Sequence, residues 1–282
     1  MPFLKLRSFV QDNYANLDWD ALSTNPNAIE LLEENPGKIN WEYLCENRNA
    51  IHLLEKNLDK VNWRWLSSNP GAIHILEKHP DKIDWKWISD NSGAIHIIEQ
   101  NLDKINWEWL SGNSNAVHIL EKHQDKIDWW NLSGNPSAIP ILEANLDKVN
   151  WAALSGNPNA IHILEANLDK VNWSYLSKNP NAIDIIEQNV GEHNLNNVDI
   201  SWLNLSVNRN AVHLLNRQID KINWWNFSCN PGIFEYDYDA MKSNMYGSGL
   251  CEELMSNRFH PSNMSRFGDW GFEEMLPDGF VV

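Results

Sequence analysis

Residues 63–84 read WRWLSSNPGAIHILEKHPDKID, and copies of this stretch fill most of the 282-residue chain. Each copy opens with a tryptophan, so we number repeats 1 to 10 by their tryptophans: Trp19, Trp41, Trp63, Trp85, Trp107, Trp129, Trp151, Trp173, Trp202 and Trp224. The spacing is 22 residues except between Trp173 and Trp202, where a 29-residue interval places an insertion at Gly191–Asn197. A fixed period over ten copies predicts a repeat protein whose units are stabilised by packing on their neighbours.

Two helix-start signals lie in each copy. Asn62 precedes Trp63, and its side chain can accept hydrogen bonds from the free N–H groups of a first helix. Asn69 precedes Pro70, and this pair favours the start of a second helix. We expect the second helix to run for about two to three turns and to end at an asparagine such as Asn57 in left-handed backbone. Helices this short are marginal alone, so neighbouring repeats must stabilise them.

The second helix is amphipathic. Its apolar residues fall on one side of a helical wheel: Ala72, Ile73, Ile75 and Leu76. We therefore predict an all-α fold, an α-solenoid of ten two-helix repeats with a cap at each end. The predicted limits are an N-terminal cap at 1–17, the solenoid at 18–234 and a C-terminal cap and tail at 235–282. With helix layers roughly 8–10 Å apart, such a stack would form a rod or arc roughly 80–100 Å long.

Composition excludes several classes of partner. The formal net charge is −16, from 38 acidic and 22 basic residues, and such a surface repels phosphate backbones and anionic membranes. We therefore expect no nucleic-acid binding. The three cysteines are far apart and predict no disulfide framework, which favours a reducing compartment. No apolar run reaches the roughly 18–20 residues of a membrane span, and the first residues do not resemble a signal peptide, so we expect a protein that is not secreted.

The ten repeat tryptophans are predicted to form a core ladder. Each is followed three residues later by a leucine or another large apolar residue, and each follows a capping residue. Stacked indoles could instead bind bases or sugars, but the apolar partner and the cap both favour an inward orientation.

A second aromatic column lies two residues after the tryptophans of repeats 2 to 5 and comprises Tyr43, Trp65, Trp87 and Trp109. By the helical period this position lies away from both the tryptophan and the leucine, so we expect it at least partly exposed. Tyrosine and tryptophan are favoured in interface hot spots. The column is therefore either a stripe that binds a partner or an edge where repeats pack on each other.

Histidines form a third column on the solvent face of the second helix, at His52, His74, His96, His118, His162 and His213. We expect no metal site, because neighbours one layer apart cannot converge on one ion. The column is either an inherited exposed position or a contact face, and His52, His74, His96 and His118 join the aromatic column as candidate partner-binding residues. Columns of glutamate (Glu33 to Glu187) and lysine (Lys38 to Lys170) are predicted to be solvated.

Motifs for catalysis are not found in the sequence. It contains no phosphate-binding glycine loop, HExxH, CxxC or GxSxG motif. One irregular cluster near the C-terminus, Cys251, Glu252, Glu253 and His260, makes an enzyme that uses the tail a distant third hypothesis. We therefore expect no catalytic residues, no cofactor and no small-molecule substrate.

Both ends of the chain depart from the repeat. Leu4, Leu6, Phe9 and Val10 could cover the core as the N-terminal cap. The last repeat continues as NPGIFEYDYDAMK at residues 230–242, then as EEL at 252–254 and FHP at 259–261. With the unit DKINWxxLSxNPxAIxILE, these motifs resemble the 22-residue, tryptophan- and asparagine-rich repeat proteins of giant DNA viruses of the mimivirus, marseillevirus and phycodnavirus kind, over residues 18–261. The chain departs from that family in the insertion at Gly191–Asn197 and in Tyr246–Gly249.

The resemblance implies a biological setting and no activity. It leads us to expect a non-catalytic protein–protein interaction scaffold, either a virion structural or assembly component such as a minor capsid-associated protein, or a soluble adaptor. The implied partners are viral capsid proteins or host proteins. The implied location is the virion, the host cytoplasm or both.

Overall fold

The computed structural model describes residues 4–190 and 200–247 and confirms the predicted all-α solenoid of regularly repeated short helices. The predicted insertion at Gly191–Asn197, the tail beyond residue 247 and the cluster at Cys251–His260 lie outside the described residues. The chain divides into two compact units, one of residues Leu6–Phe234 and one of residues Met1–Lys5 with Glu235–Val282.

The first helix of each repeat begins at the repeat tryptophan. Asn62 is a representative cap, because its side chain accepts hydrogen bonds from the backbone N–H groups of Arg64 and Trp65, as predicted. The first helices are Trp19–Thr24, Trp41–Leu44, Trp63–Ser67, Trp85–Ile88, Trp107–Gly112, Trp129–Gly134, Trp151–Ser155, Trp173–Leu176, Trp202–Val207 and Trp224–Cys229.

The second helix is shorter than predicted. It begins at the isoleucine or valine ten residues after the tryptophan, preceded by an alanine whose side chain makes no cap. The asparagine expected as its cap, Asn69, instead accepts from Gly71 N–H at 2.9 Å and starts a 3₁₀ turn at Pro70–Ala72. The second helices are Ile29–Glu34, Ile51–Glu55, Ile73–Lys78, Ile95–Glu99, Val117–Lys122, Ile139–Glu143, Ile161–Glu165, Ile183–Val190 and Val212–Arg217.

The predicted left-handed ending of the second helix is wrong. Asn35, at the end of the first such helix, has φ −127° and ψ 58°. The asparagine side chain supplies the cap, since the Asn57 amide donates to Leu53 O at 2.9 Å and the Asn101 amide donates to Ile97 O at 2.9 Å. Further 3₁₀ turns are Tyr14–Asn16, Pro36–Lys38, Pro80–Lys82, Ser92–Ala94, Gln124–Lys126, Leu168–Lys170, Ile219–Lys221 and Pro231–Ile233.

Three columns of fully buried apolar residues form the core. In repeat 3 they are Leu66, Ala72 and Leu76, each with no exposed surface. The same positions hold Leu, Ile or Ala in nearly every repeat, and repeat 10 replaces the first of them with Phe227. Small alanines between larger residues let the two short helices of a repeat approach closely, so packing supplies the stability that short helices lack.

The predicted tryptophan core is wrong. All ten repeat tryptophans are partly exposed, and none belongs to the buried core. Lysines of the predicted solvated column cover several of them: Lys38 Nζ lies 4.1 Å from the ring centre of Trp19, and Lys60 Nζ lies 4.4 Å from that of Trp41. An indole covered by an ammonium group tolerates partial exposure, because its face attracts the cation and the lysine stem shields it from water.

Buried asparagine side chains connect successive repeats. The asparagine six residues after each tryptophan is at most 1 % exposed, and its amide donates to backbone carbonyls of the preceding repeat. Asn47 donates to Ser23 O at 3.0 Å and to Asn25 O at 2.8 Å, while its own side-chain oxygen accepts from Asn49 N–H at 3.0 Å. Both polar ends of the amide are thus satisfied, as a buried polar group requires.

Within the unit Leu6–Phe234 this ladder has no end, because repeat 1 continues it from repeat 10. Asn25 donates to Ser228 O at 2.9 Å and to Asn230 O at 3.0 Å. A second link also closes the junction, since Asp18 N–H donates to the Ser228 hydroxyl at 2.9 Å, as Asn40 N–H does to Ser23 at 3.0 Å. The ten repeats therefore form a closed ring, and the expected rod or arc is wrong.

The N-terminal segment of this unit lies against repeat 10. Helix Ser8–Asp12 buries Val10, and the ring of Phe9 stacks on Phe227 with centroids 6.0 Å apart. Arg7 N–H donates to Ile233 O at 3.0 Å. Phe227 takes the place of a leucine found in most repeats, which gives Phe9 an aromatic partner.

The two strands Leu4–Leu6 and Phe234–Tyr236 pair in a two-stranded sheet. In the second unit, Lys5 Nζ lies 3.6 Å from a carboxylate oxygen of Asp237. Asp237 also accepts from Ala240 N–H at 3.1 Å and so caps the helix Tyr238–Gly247.

We predict that Asn25→Ala and Asn135→Ala destabilise the protein equally, by about 2–4 kcal/mol, because each removes a buried amide and leaves its backbone partners unsatisfied. The pair is matched: Asn135 donates to Ser111 O and Asn113 O, each at 3.0 Å. Urea unfolding followed by circular dichroism measures both changes. In an open stack Asn25 would lack acceptors, so a negligible effect of Asn25→Ala beside a large effect of Asn135→Ala would contradict closure.

Candidate functional site

The first helices line the inside of the ring. First helices of neighbouring repeats contact one another directly around most of the ring, including Trp19–Thr24 with Trp224–Cys229, whereas second helices approach each other less closely. Elements that approach most closely occupy the inner circumference of a ring. Side chains on the inner helices also reach across a whole repeat, since the rings of Trp130 in repeat 6 and Tyr175 in repeat 8 have centroids 5.8 Å apart.

The predicted aromatic column forms a continuous stack on this inner side. Ring centroids are 5.7 Å apart between Tyr43 and Trp65, 5.6 Å between Trp65 and Trp87, and 4.8 Å between Trp87 and Trp109. Tyr43 also contacts Trp225 of repeat 10, at 6.4 Å. All four column members are partly exposed. The stack is the edge packing between repeats that the sequence left open, and a partner-binding role for it stays a prediction.

Cations flank the aromatic stack. The guanidinium of Arg64 lies 5.0 Å from the ring centre of Trp87, and Lys86 Nζ lies 5.2 Å from that of Trp109. The indole nitrogen of Trp87 is buried and has no hydrogen-bond partner among the described residues. A buried indole N–H without a hydrogen-bond partner lowers the stability of the fold. Packing between the rings and cation–π attraction to the flanking cations stabilise the stack.

The residue five positions after each tryptophan also faces the inside of the ring. Four of these residues have shifted pKa values. Desolvation raises the pKa of Glu46 and that of Cys229 and lowers the pKa of Lys178. Desolvation also raises the pKa of Asp90 from its usual 3.8 to about 6, although its side chain keeps contact with solvent. A narrow, partly enclosed interior explains both facts, because nearby protein displaces water without sealing the site.

The predicted histidine column lies on the outer circumference, on the second helices. Each histidine contacts a glutamate of the preceding repeat: His52 Nε2 lies 2.9 Å from Glu33, His74 Nε2 lies 2.6 Å from Glu55, and four further pairs follow the same pattern. Side chains of these pairs are about half exposed. The structure therefore places the two predicted candidate sets on different helices and does not bring them together.

Two interruptions in the histidine column were missed at the sequence level. Repeat 6 has Pro140 and repeat 8 has Asp184 in place of histidine. Beside Pro140 a groove of about 470 Å³ opens, lined by Glu121, Pro140, Ile141 and Lys148 among others. The sequence signal for this groove was proline in place of histidine. In other repeats the histidine contacts the glutamate of the preceding repeat, and Pro140 cannot make the corresponding contact with Glu121.

Within residues 4–190 and 200–247, no three His, Cys, Asp or Glu side chains are grouped so that they could hold a metal ion. In the same residues, no helix has the length and apolar character needed to cross a membrane. The expectation of no metal-dependent function stays a prediction.

We predict that Asp90→Asn stabilises the protein above pH 6 and has little effect near pH 4. Because the folded-state pKa of Asp90 is raised to about 6, ionising it in the ring opposes folding, so the wild type loses stability as pH rises from about 4 to 6. The gain should stay below about 1 kcal/mol, because Asp90 contacts water. Unfolding free energies measured at both pH values test this. Asp103→Asn, on an exposed turn, is the control and should show no such difference.

Comparisons with known proteins add no family to this description. No protein-family model, no curated protein and no solved structure matches the chain. The resemblance to repeat proteins of giant DNA viruses therefore stays a prediction that rests on the motifs in the sequence.

Proposed function

We propose that the protein is a non-catalytic protein–protein interaction scaffold, and specifically a structural or assembly component of a virus particle, such as a minor capsid-associated protein. The observation that carries this proposal is the closed hydrogen-bonded ring. Each repeat is linked to both neighbours, so the backbone positions of the outward-facing residues are fixed relative to one another. A preorganised surface binds a partner without the entropic cost of ordering that surface on binding.

Closure of the ring bears on where a partner can bind. A solenoid with two open ends could act as a strut or spacer by contacting partners at its ends. In the ring, the ladder positions of repeats 1 and 10 are occupied by each other, so partners are expected on the circumference.

The outer histidine–glutamate stripe of repeats 1 to 5 supports a protein partner best. His52, His74, His96 and His118 follow one another without interruption, are about half exposed and each contact a glutamate. The aromatic column lies on the inner side of the ring, where a protein partner has less access than on the outside, and its rings contact one another and Trp225. A row of half-exposed polar pairs offers hydrogen-bond donors and acceptors of the kind that protein–protein interfaces use.

The alternative is a soluble adaptor that binds host or viral proteins during infection. Mass spectrometry of purified particles separates the two proposals. A fixed ratio to the major capsid protein supports a virion component, and absence from particles supports the adaptor.

We predict that changing His52, His74, His96 and His118 to alanine lowers incorporation into particles without unfolding the ring. Each lost pair is a surface contact worth less than about 1 kcal/mol, so the thermal midpoint should change little. The control changes His162 and His213 to alanine and removes the same kind of pair outside the continuous stripe. Quantitative mass spectrometry of particles measures the tagged variants. If the fourfold variant enters particles as the wild type does, the proposed contact surface is wrong.

A further inference from the structure

The interior of the ring is not filled evenly. Aromatic side chains stack through repeats 2 to 5, but three successive repeats have glycine five residues after the tryptophan, at Gly112, Gly134 and Gly156. A cavity of about 240 Å³ lies there, and its walls include the rings of Trp130 and Tyr175. It is smaller than the roughly 300–1,000 Å³ typical of sites for drug-sized ligands.

Lys178 gives this cavity its charge. It is the single charged residue among the described residues that line the cavity. Its ammonium group lies 4.8 Å from the ring centre of Tyr175, and desolvation by the surrounding protein lowers its pKa. Lys178 keeps contact with solvent, and within the described part of the chain it forms no salt bridge with a carboxylate.

Gly156 allows the lysine to take this position. A Cβ atom added at Gly156 would lie 2.6 Å from Cε of Lys178, so any larger residue would displace the lysine stem. At Gly134 the situation is the reverse, since an added Cβ would meet nothing within 4 Å. Gly156 therefore makes room for the Lys178 side chain, and Gly134 leaves the cavity open.

We propose that this cavity binds a carboxylate group carried on a small, flat apolar body, with Lys178 contacting the carboxylate and Trp130 and Tyr175 contacting the apolar part. An anion supplies the charge partner that Lys178 lacks among the described residues, and a charge-assisted pair in a partly desolvated site is stronger than one in open water. The aromatic walls favour a flat group, and the volume limits its size. Both a free organic acid and the C-terminus of a peptide carry this chemistry.

The test is isothermal titration of the full chain with benzoate, and with benzamide as the uncharged analogue. Benzoate should bind at least about tenfold more tightly than benzamide, because only benzoate pairs with the lysine. A short peptide ending in phenylalanine with a free carboxylate, compared with its amidated form, distinguishes the sources. A free-acid peptide that binds more tightly than benzoate assigns the site to peptide C-termini, and weaker binding assigns it to small acids.

Three variants make the test specific. Lys178→Met keeps the stem without the charge and should weaken benzoate binding by about tenfold or more. Gly134→Leu fills the cavity and should abolish binding, whereas Gly37→Leu, on a turn where an added Cβ also meets nothing within 4 Å, should bind as the wild type does. Circular dichroism checks that each variant is folded. Equal binding of benzoate and benzamide, no binding of benzoate, or unchanged binding to folded Gly134→Leu would overturn the proposal.

Discussion

The buried asparagine amide is the interaction on which the rest of this structure depends. In every repeat it donates to a backbone carbonyl of the preceding repeat and accepts from an N–H two residues further along its own turn. Aspartate could not donate, and glutamine would place its amide one bond too far away. Because the amide fixes the distance and register between repeats, the apolar columns meet at the same contacts from one repeat to the next. Removing one amide leaves buried polar groups unpaired, so the ladder rigidifies the ring as well as stabilising it.

The sequence predicted the repeats and their first helices but did not predict that the ring closes. The period of 22 residues and the capping residue before each tryptophan predicted the repeats and the first helices. Curvature depends on how closely the inner and outer helices approach, and no single repeat encodes that. One signal was present: Asn25 and Asn230 keep the ladder residue in both terminal repeats, whereas a stack with open ends would leave one buried polar group unpaired.

The tryptophan prediction failed for a physical reason. Hydrophobicity and a leucine three residues later indicated a core position for Trp41, but the column of smaller side chains such as Leu44 and Ala50 fills the core completely. A lysine from the end of the same repeat then covers the indole, with Lys60 over Trp41 as an example. For the candidate sites, spacing identified both columns correctly as features of a face. Spacing did not predict that the aromatic column would lie on the inner side of the ring, with its rings in contact with one another.

The two faces of the ring have different physical characters. The outer circumference has exposed histidine–glutamate pairs, and it is continuous where the column is uninterrupted. The interior is narrow enough to shift the pKa values of Glu46, Asp90 and Lys178 through desolvation. Repeats 5 to 7 have glycine on the inner face, and repeat 6 also has Pro140 on the outer face. The proposed partner surface and the proposed ligand site therefore lie on separate faces of the ring.

Ring closure is the central claim, and a disulfide across the junction tests it most directly. Thr24 of repeat 1 lies beside the thiol of Cys229 of repeat 10, although the two residues are 205 positions apart in the chain. In a background with Cys45→Ser and Cys251→Ser, Thr24→Cys is oxidised and the monomer is digested for mass spectrometry. A control pair, Ser68→Cys with Asp90→Cys, occupies the same positions in neighbouring repeats 3 and 4. In a closed ring, residues 24 and 229 should cross-link within one monomer as readily as the control pair. A control pair that cross-links while residues 24 and 229 do not would contradict the closed ring.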